Sequence, residues 1–314
     1  MKFKKPKFWD LKKPNLVSYF LLPFTLIIFF NNFFLKFKSK KKNEKIKSIC
    51  VGNIYLGGTG KTPTTIAIYE ILKKFNLNVS TAKKFYASQE DENLLLKNKT
   101  KFITSNTRND ILTKGIKKNQ QVIIFDDGLQ DKTISYDLEF VCFDAENFIG
   151  NGCLIPAGPL REKLESLNKY DAVFLKNNNS NIIDQKNLLK KYNKNIKIFD
   201  TYYEITNLNK FNLDNEFLIF SGIGNPLSFK KILINNKFKV VKEIIFPDHY
   251  DYKKKEIENI ILVAKKNNYK IITTEKDLMK INNFDLKEVN FIEISLKIKN
   301  EKELIDFLRH KFYE

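Results

Sequence analysis

Apolar positions in this chain concentrate in short runs, some broken by a polar residue, separated by stretches with helical spacing. The runs are Ile46–Val51, Leu77–Ala82, Gln121–Phe125, Leu138–Phe143, Asp171–Leu175, Glu216–Phe220 and Lys270–Thr274. Such runs bounded by polar or glycine-rich segments predict strands, and the continuous one at Gln121–Phe125 predicts a strand buried on both faces of a parallel sheet. Between them, Thr64–Leu72 and residues 253–268 predict helices, and Leu304, Ile305, Leu308 and Phe312 form the apolar face of a closing helix. The expected fold is therefore α/β, a mostly parallel sheet with helices on both faces. An asparagine- and lysine-rich stretch near 176–196 interrupts the pattern and marks a boundary. The expected domains are residues 46–190 as the core and 191–314 as a smaller α/β domain, with the final helix free to pack back on the core.

Residues 1–45 follow a different rule. An aromatic-rich apolar run from Leu16 to Phe30, and a second at Phe33-Phe34-Leu35, are flanked by lysines on both sides. A spanning helix needs roughly 20 apolar residues, and Pro23 interrupts this run. A span would also leave one basic flank on the outer side, against the positive-inside tendency. No small-residue cleavage site follows, which disfavours a signal peptide. The segment reads as one that lies in or dips into the cytoplasmic leaflet, with lysines on anionic headgroups. A single span and a buried core helix are the alternatives.

The 314 residues carry a formal charge of +19, which points to an anionic partner. The charge is discounted, because lysine is used almost to the exclusion of arginine and asparagine is abundant, as in a coding sequence of biased base composition. A nucleic-acid partner rests on that charge alone and is not expected. The positions where arginine survives, Arg108, Arg161 and Arg309, carry more information. The cysteines Cys50, Cys142 and Cys153 have no C-x-x-C spacing, which fits a reducing compartment.

The chemistry centres on Gly57-Gly58-Thr59-Gly60-Lys61-Thr62-Pro63, set between a predicted strand and a predicted helix. Glycines let backbone N–H groups converge on phosphate oxygens, and the helix start adds its positive dipole end. In such a loop Lys61 reaches the β/γ-phosphates of a nucleotide and the Thr62 hydroxyl takes a Mg²⁺ position. Two departures stand out: Tyr55 where the full pattern has a glycine, and Leu56 where membrane-associated ATPases carry a lysine. The strand ending in Asp126-Asp127-Gly128, about 65 residues on, brings carboxylates to the sheet edge, where one of them holds Mg²⁺ directly or through water. Together the two elements predict a P-loop NTPase-like site for ATP and Mg²⁺ rather than an ordinary glycine turn and a bland acidic turn.

Other candidates are weaker on pattern alone. Glu90-Asp91-Glu92 follows a strand end but also suits a solvated helix start. Arg161 lies beside Glu162 in a loop rich in glycine and proline, where it serves either phosphate recognition or a structural ion pair. His249 follows an aspartate in a loop and reads more simply as structural than as functional.

Several of these stretches together resemble the tetraacyldisaccharide 4′-kinases of lipid A biosynthesis. They are Val51-Gly52-Asn53 with the glycine loop, Asp126-Asp127-Gly128-Leu129-Gln130, Gly150-Asn151-Gly152 with Pro156–Glu162, Gly222-Ile223-Gly224-Asn225-Pro226, Asp248-His249 and Thr273-Thr274-Glu275-Lys276-Asp277. The resemblance implies a kinase that uses ATP and Mg²⁺ to phosphorylate the 4′-hydroxyl of an acylated glucosamine disaccharide 1-phosphate. It implies a peripheral or monotopic enzyme at the cytoplasmic face of the bacterial inner membrane, with residues 1–45 as the membrane-associating segment. It further implies that Asp91 is the base, that His249 tunes it, and that Asp127 and Arg161 act in catalysis. Thr62, Asp126 and Asp127 are the implied metal residues. The family's R-G-Y-G stretch appears here as Lys83-Lys84-Phe85-Tyr86, and Asp131 stands where a histidine commonly follows. The rival readings are a membrane-associated P-loop ATPase or GTPase switch and a basic binding protein.

Overall fold

The structure, a computed structural model, describes residues 5–27, 30, 43–86, 90–131, 133–178, 181–284 and 287–313. It divides into two units. The described residues of Lys5–Phe85, Lys99–Tyr202 and Leu296–Glu314 form one, and those of Tyr86–Asn98 and Tyr203–Ser295 the other.

The first unit is built on strands β1 (Lys47–Gly52), β2 (Val79–Lys84), β3 (Phe102–Ser105), β4 (Val122–Asp126), β5 (Leu138–Asp144), β6 (Ala172–Lys176) and β7 (Lys197–Ile205). With β12 (Ile294–Ile298) at one edge, their order is β12-β7-β6-β5-β1-β4-β2-β3. Every pairing from β3 across to β7 is parallel. The five residues of β4 and of β6 are all buried, which is why these strands read as continuous apolar runs. From β1 the chain moves toward β2 and β3, and from β4 it crosses to β5 on the other side. The order therefore reverses beside β1, and ligands of open parallel sheets bind outside the carboxyl ends of strands at such a point. Helix α2 (Lys61–Lys73) follows β1, and the register sets Val51 beside Asp126. The closing helix α9 (Glu301–Tyr313) buries Leu304 and Leu308 in this unit, with Phe307 against the rings of Phe140 and Phe199 at 6.2 and 5.7 Å.

The second unit carries a four-stranded parallel sheet, β11 (Val289–Ile292), β10 (Lys270–Thr274), β8 (Glu216–Ser221) and β9 (Lys239–Ile245). Alternation along β8 sends Leu218 and Phe220 to one apolar cluster and Phe217 and Ile219 to another. Helix α7 (Lys254–Lys266) closes the first with Ile257 and Ile261, and α6 (Pro226–Asn235) closes the second with Phe229 and Leu233.

Three boundaries differ from the sequence expectation. The division falls at Tyr202/Tyr203 rather than near 190, because the low-complexity stretch holds helix α5 (Ile183–Tyr192) and β7 still pairs with β6. Residues 86–98 belong to the second unit, and β2 runs two residues past Ala82 to take in Lys83 and Lys84. Finally, residues 5–27 belong to the first unit rather than forming a segment apart. Among the described residues no helix is long and apolar enough to cross a membrane.

Helix α1 (Leu16–Leu21), capped by the Asn15 side chain on Ser18 N–H, is tied down by the glycine- and proline-rich loop. Trp9 is buried and its indole N–H donates to the Pro156 carbonyl at 3.0 Å. The Asn151 N–H donates to the Trp9 carbonyl at 2.9 Å. The Asn151 side-chain amide donates to Ser18 Oγ and the Ala157 carbonyl, each at 2.9 Å. Gly150 (φ +55°) admits no side chain there, since a Cβ would lie 2.1 Å from the Trp9 carbonyl oxygen. Asn151→Ala removes the donor to the Ala157 carbonyl and the link to Ser18, whose hydroxyl keeps only Asn15, at a cost of about 1–3 kcal/mol. Limited proteolysis should then cut residues 11–15 markedly faster than in the wild-type chain, with the rest of the chain equally resistant.

Candidate active site

The turn after β1 is shaped by backbone rather than by side chains. Gly60 caps α2 in the left-handed region (φ +86°), a conformation that glycine adopts without strain. Its carbonyl accepts from Thr64 N–H at 3.0 Å and Thr64 Oγ1 at 2.8 Å, and Pro63 lies in the first turn, where no N–H is needed. Buried Asn53 spans the loop from inside, its amide donating to the Gly57 carbonyl (3.2 Å) and to Thr59 Oγ1 (3.1 Å). Tyr55 is not among the positive-φ positions, so a glycine is not required there. It bridges to Leu160, its ring lines Gly57, and its hydroxyl donates to Asp10 at 2.6 Å.

At the end of β4 the two aspartates diverge. Asp126 is buried, and its Oδ2 accepts from Thr62 Oγ1 at 2.8 Å and from the Lys83 ammonium at 3.1 Å. Asp127 is in the left-handed region (φ +63°) and half-exposed, with Lys61 Nζ and Arg161 Nη1 each 3.5 Å from its carboxylate. Arg161 also donates to Gln130 Oε1 at 3.2 Å, while the Gln130 amide donates to the Asn53 carbonyl and to Glu162, each at 3.0 Å. Lys61, Thr62, Asp126, Asp127 and Arg161 therefore form one cluster with the glycine loop. Sequence reasoning missed Lys83, Gln130 and Asn53 as parts of it. All three lay inside quoted stretches, Lys83 in the one set against the family's R-G-Y-G, but none was singled out as a site residue.

The donor set suits Mg²⁺. A hydroxyl and a carboxylate offer hard oxygens, and so few protein ligands leave room for phosphate and water oxygens in an octahedral shell. Thr62 and Asp126 are the residues that would hold it.

In the second unit, buried Asp91 lies on α3 (Glu90–Lys99) and His249 in the loop after β9. His249 Nδ1 is 3.0 and 3.1 Å from the two Asp91 oxygens. His249 is held at φ +54° with its N–H on the Gly222 carbonyl at 3.1 Å. Lys276 and Lys280, on α8 (Glu275–Ile281), approach Asp91 Oδ2 at 3.4 and 3.2 Å. Lys276 also donates to Glu92 at 3.1 Å. Asp277 fixes this corner, accepting Gly222 N–H (3.0 Å) and the Thr274 hydroxyl (2.7 Å). Burial alone would raise the Asp91 pKa, but the His249 hydrogen bond and the two ammonium groups hold it well below the usual carboxylate range. Burial likewise acts to lower Lys276, yet Glu92, Asp91 and Asp248 push it upward. Of these two lysines, Lys276 lay inside the quoted Thr273–Asp277 stretch and Lys280 in none.

A glycine loop between strand and helix, with lysine and threonine at the helix start and an aspartate on the adjoining strand, defines a P-loop nucleotide-binding protein. Residues 17–313 match the family described as tetraacyldisaccharide-1-P 4′-kinase. A tetraacyldisaccharide 4′-kinase of Pelagibacter ubique is 48% identical over 310 residues, 98% of each chain, and one of Rickettsia bellii is 34% identical over 324 residues, again 98% of each. The crystal structure titled as the "apo" form of LpxK from Aquifex aeolicus in complex with ATP matches with a TM-score of 0.70 at 25% identity, over 95% of this chain and all of that one. The chain belongs to the tetraacyldisaccharide-1-P 4′-kinase family and is a kinase; the switch reading is not favoured.

Two stability outcomes follow. Lys83→Met strands the buried Asp126 charge and should cost about 3–5 kcal/mol in urea denaturation. Asp91, with its pKa depressed on folding, stabilises the fold at pH values above its unfolded pKa of about 3.9, and loses that contribution as pH falls through the folded value. The stability difference between wild type and Asp91→Asn should therefore be flat from pH 5 to 7 and shrink only below about pH 4, read by chemical denaturation across that range.

Proposed function

We propose that this chain transfers the γ-phosphate of ATP to the 4′-hydroxyl of a tetraacylated glucosamine disaccharide 1-phosphate at the cytoplasmic face of an inner membrane. The observation that carries the phosphoryl-transfer half is the Thr62–Asp126 hydrogen bond beside Lys61, which couples the glycine loop to the adjoining strand. Family membership supports the acceptor.

Phosphoryl transfer asks a protein mostly for positioning and charge neutralisation. The loop N–H groups of Gly57, Gly58, Thr59 and Gly60 cradle the phosphates, and Lys61 balances charge on the β- and γ-oxygens. Thr62 and Asp126, with Asp127 beside them, would hold Mg²⁺, which when bound would neutralise charge developing on the transferred group. Arg161 steadies phosphate charge with a planar donor pair. Asp91 accepts the proton of the attacking hydroxyl, and His249 orients its carboxylate through Nδ1. The proton passes to Asp91 as the bond between the acceptor oxygen and the γ-phosphorus forms and the bond to the β–γ bridging oxygen breaks, with ADP as the leaving group.

The lipid and membrane part of the proposal is supported by the face that α1 leaves open. Leu16, Phe20, Phe24, Leu26 and Ile27 are each more than half exposed. Phe20, Leu21, Phe24 and Ile27 line an apolar cleft of about 470 Å³ with Ile155 and Pro156. Exposed apolar groups in such density mark a lipid or protein contact rather than a solvated surface.

The test is transfer of labelled γ-phosphate from ATP to the acylated disaccharide in detergent micelles. Label in lipid supports the kinase proposed here, while hydrolysis without transfer rejects the acceptor. Asp91→Ala should lower turnover about 10²–10⁴-fold with little change in ATP binding. Near-normal turnover would remove Asp91 from the reaction.

A further inference from the structure

Arg108 is one of three arginines among 55 basic residues, and no step above uses it. It opens α4 (Arg108–Lys117), whose N-cap Thr107 accepts from Asp110 N–H, and it is buried. Its guanidinium lies beneath the turn that follows β4. Nη2 donates to the Asp127 carbonyl at 2.6 Å, and Nη1 pairs with the Asp131 carboxylate at the other end of the turn. Between them Gly128 passes so close that a Cβ there would lie 3.1 Å from Arg108 Nε, 3.0 Å from Cys50 Sγ and 2.5 Å from the Tyr136 hydroxyl.

We propose that Arg108 is a positioning residue for the phosphate site: its planar fork grips both ends of the Asp127–Asp131 turn and so fixes where the Asp127 carboxylate stands. The assignment rests on the kinase reading above and deepens it.

Asp127 needs such a device. Its left-handed backbone is one that residues with a Cβ seldom adopt, and it persists only where the surroundings over-determine it. On one side its N–H is held by the Val51 carbonyl at 2.8 Å, which ties it to β1. On the other, its carbonyl is held by Arg108. With both backbone groups fixed, the side chain leaves the turn toward Lys61 and Arg161. Asp131 is oriented for its part in turn, since its Oδ1 accepts from the Thr133 N–H at 2.9 Å and hydroxyl at 2.6 Å, leaving Oδ2 for Arg108. Burial acts to raise the Asp131 pKa, but the Thr133 hydrogen bonds and Arg108 bring it below its ordinary value, so the pair stays charged. A lysine ammonium is a single point of charge and cannot span two oxygens separated by a turn. That geometry explains an arginine at this position in a chain that otherwise uses lysine.

Arg108→Lys tests the inference, with turnover at saturating ATP and Mg²⁺, ATP dissociation constant and thermal midpoint measured together. Turnover should fall about tenfold or more while ATP affinity stays within about threefold and the midpoint within a few degrees. Asp131→Asn, at a half-exposed position, should lower turnover about threefold with ATP affinity unchanged. The double variant should be no slower than Arg108→Lys within about twofold, because both changes release one turn. Turnover of Arg108→Lys within twofold of wild type overturns the assignment, and so does a loss matched by an equal loss of ATP affinity. If Arg108→Lys does not fold, Asp131→Asn decides alone by the same split. A wild-type chain that transfers no label to lipid overturns the kinase acceptor instead, and not this clamp.

Discussion

One buried carboxylate oxygen organises the first unit. Asp126 Oδ2 takes the Thr62 hydroxyl and the Lys83 ammonium at once, and each of those residues comes from a different neighbour of β4. Thr62 arrives on α2 after β1, and Lys83 on β2, the two strands that flank β4 in the sheet. Parallel pairing is what makes this possible, because it brings the carboxyl ends of all three strands to the same edge. A buried charge of this kind is costly unless it is paired and hydrogen-bonded. Satisfying Asp126 thus ties the strand order, the start of α2 and the unusual lysine in β2 into a single arrangement.

The second unit solves the same electrostatic problem for a different use. Asp91 is buried like Asp126, but where Asp126 has one ammonium its partners are a histidine and two lysines. None of the three is an oxygen donor suited to share a metal. The first carboxylate stands with a hydroxyl and can share a hard cation, while the second stands with groups that keep it anionic and aimed. Environment, rather than residue type, separates the two carboxylates, one set beside a hydroxyl and the other among nitrogen donors.

Much of this was legible in the sequence, and what was not has a common cause. Strands buried on both faces, such as β4 and β6, write themselves as unbroken apolar runs. The edge strand β9 is mostly exposed, and β7 alternates, so neither produced such a run. The glycine loop was readable because its conformation is dictated by residues with no Cβ, and Tyr55 broke the pattern only because the backbone there needs no glycine. Lys83 and Lys276 sat inside quoted stretches, yet like Lys280 they were not singled out, for the opposite reason. A functional lysine differs from its neighbours only in burial, and burial follows from strand order and from pairings such as Asp91 with His249, 158 residues apart. The compact units divide at 202/203 rather than near 190, since α5 buries little beyond Leu189 and its composition resembles a linker.

Biased composition turns the surviving arginines into markers. Where a positive charge is enough, this chain uses lysine, even at buried positions: Lys83 on Asp126, and Lys176 on Asp144 at 2.7 Å. Where a plane is needed, arginine remains. Arg161 reaches Asp127 and Gln130 from one guanidinium nitrogen, Arg108 spans two oxygens of one turn, and Arg309 lies over the Phe75 ring at 5.2 Å. Stacking and forked hydrogen bonding are the two tasks an ammonium performs poorly. Two of the three arginines converge on Asp127, one gripping its backbone and the other meeting its side chain. The residue that carries the strained backbone is thus the one on which this chain concentrates a side chain it otherwise avoids, which places the geometric demand of the site at Asp127 rather than at the better-buried Asp126.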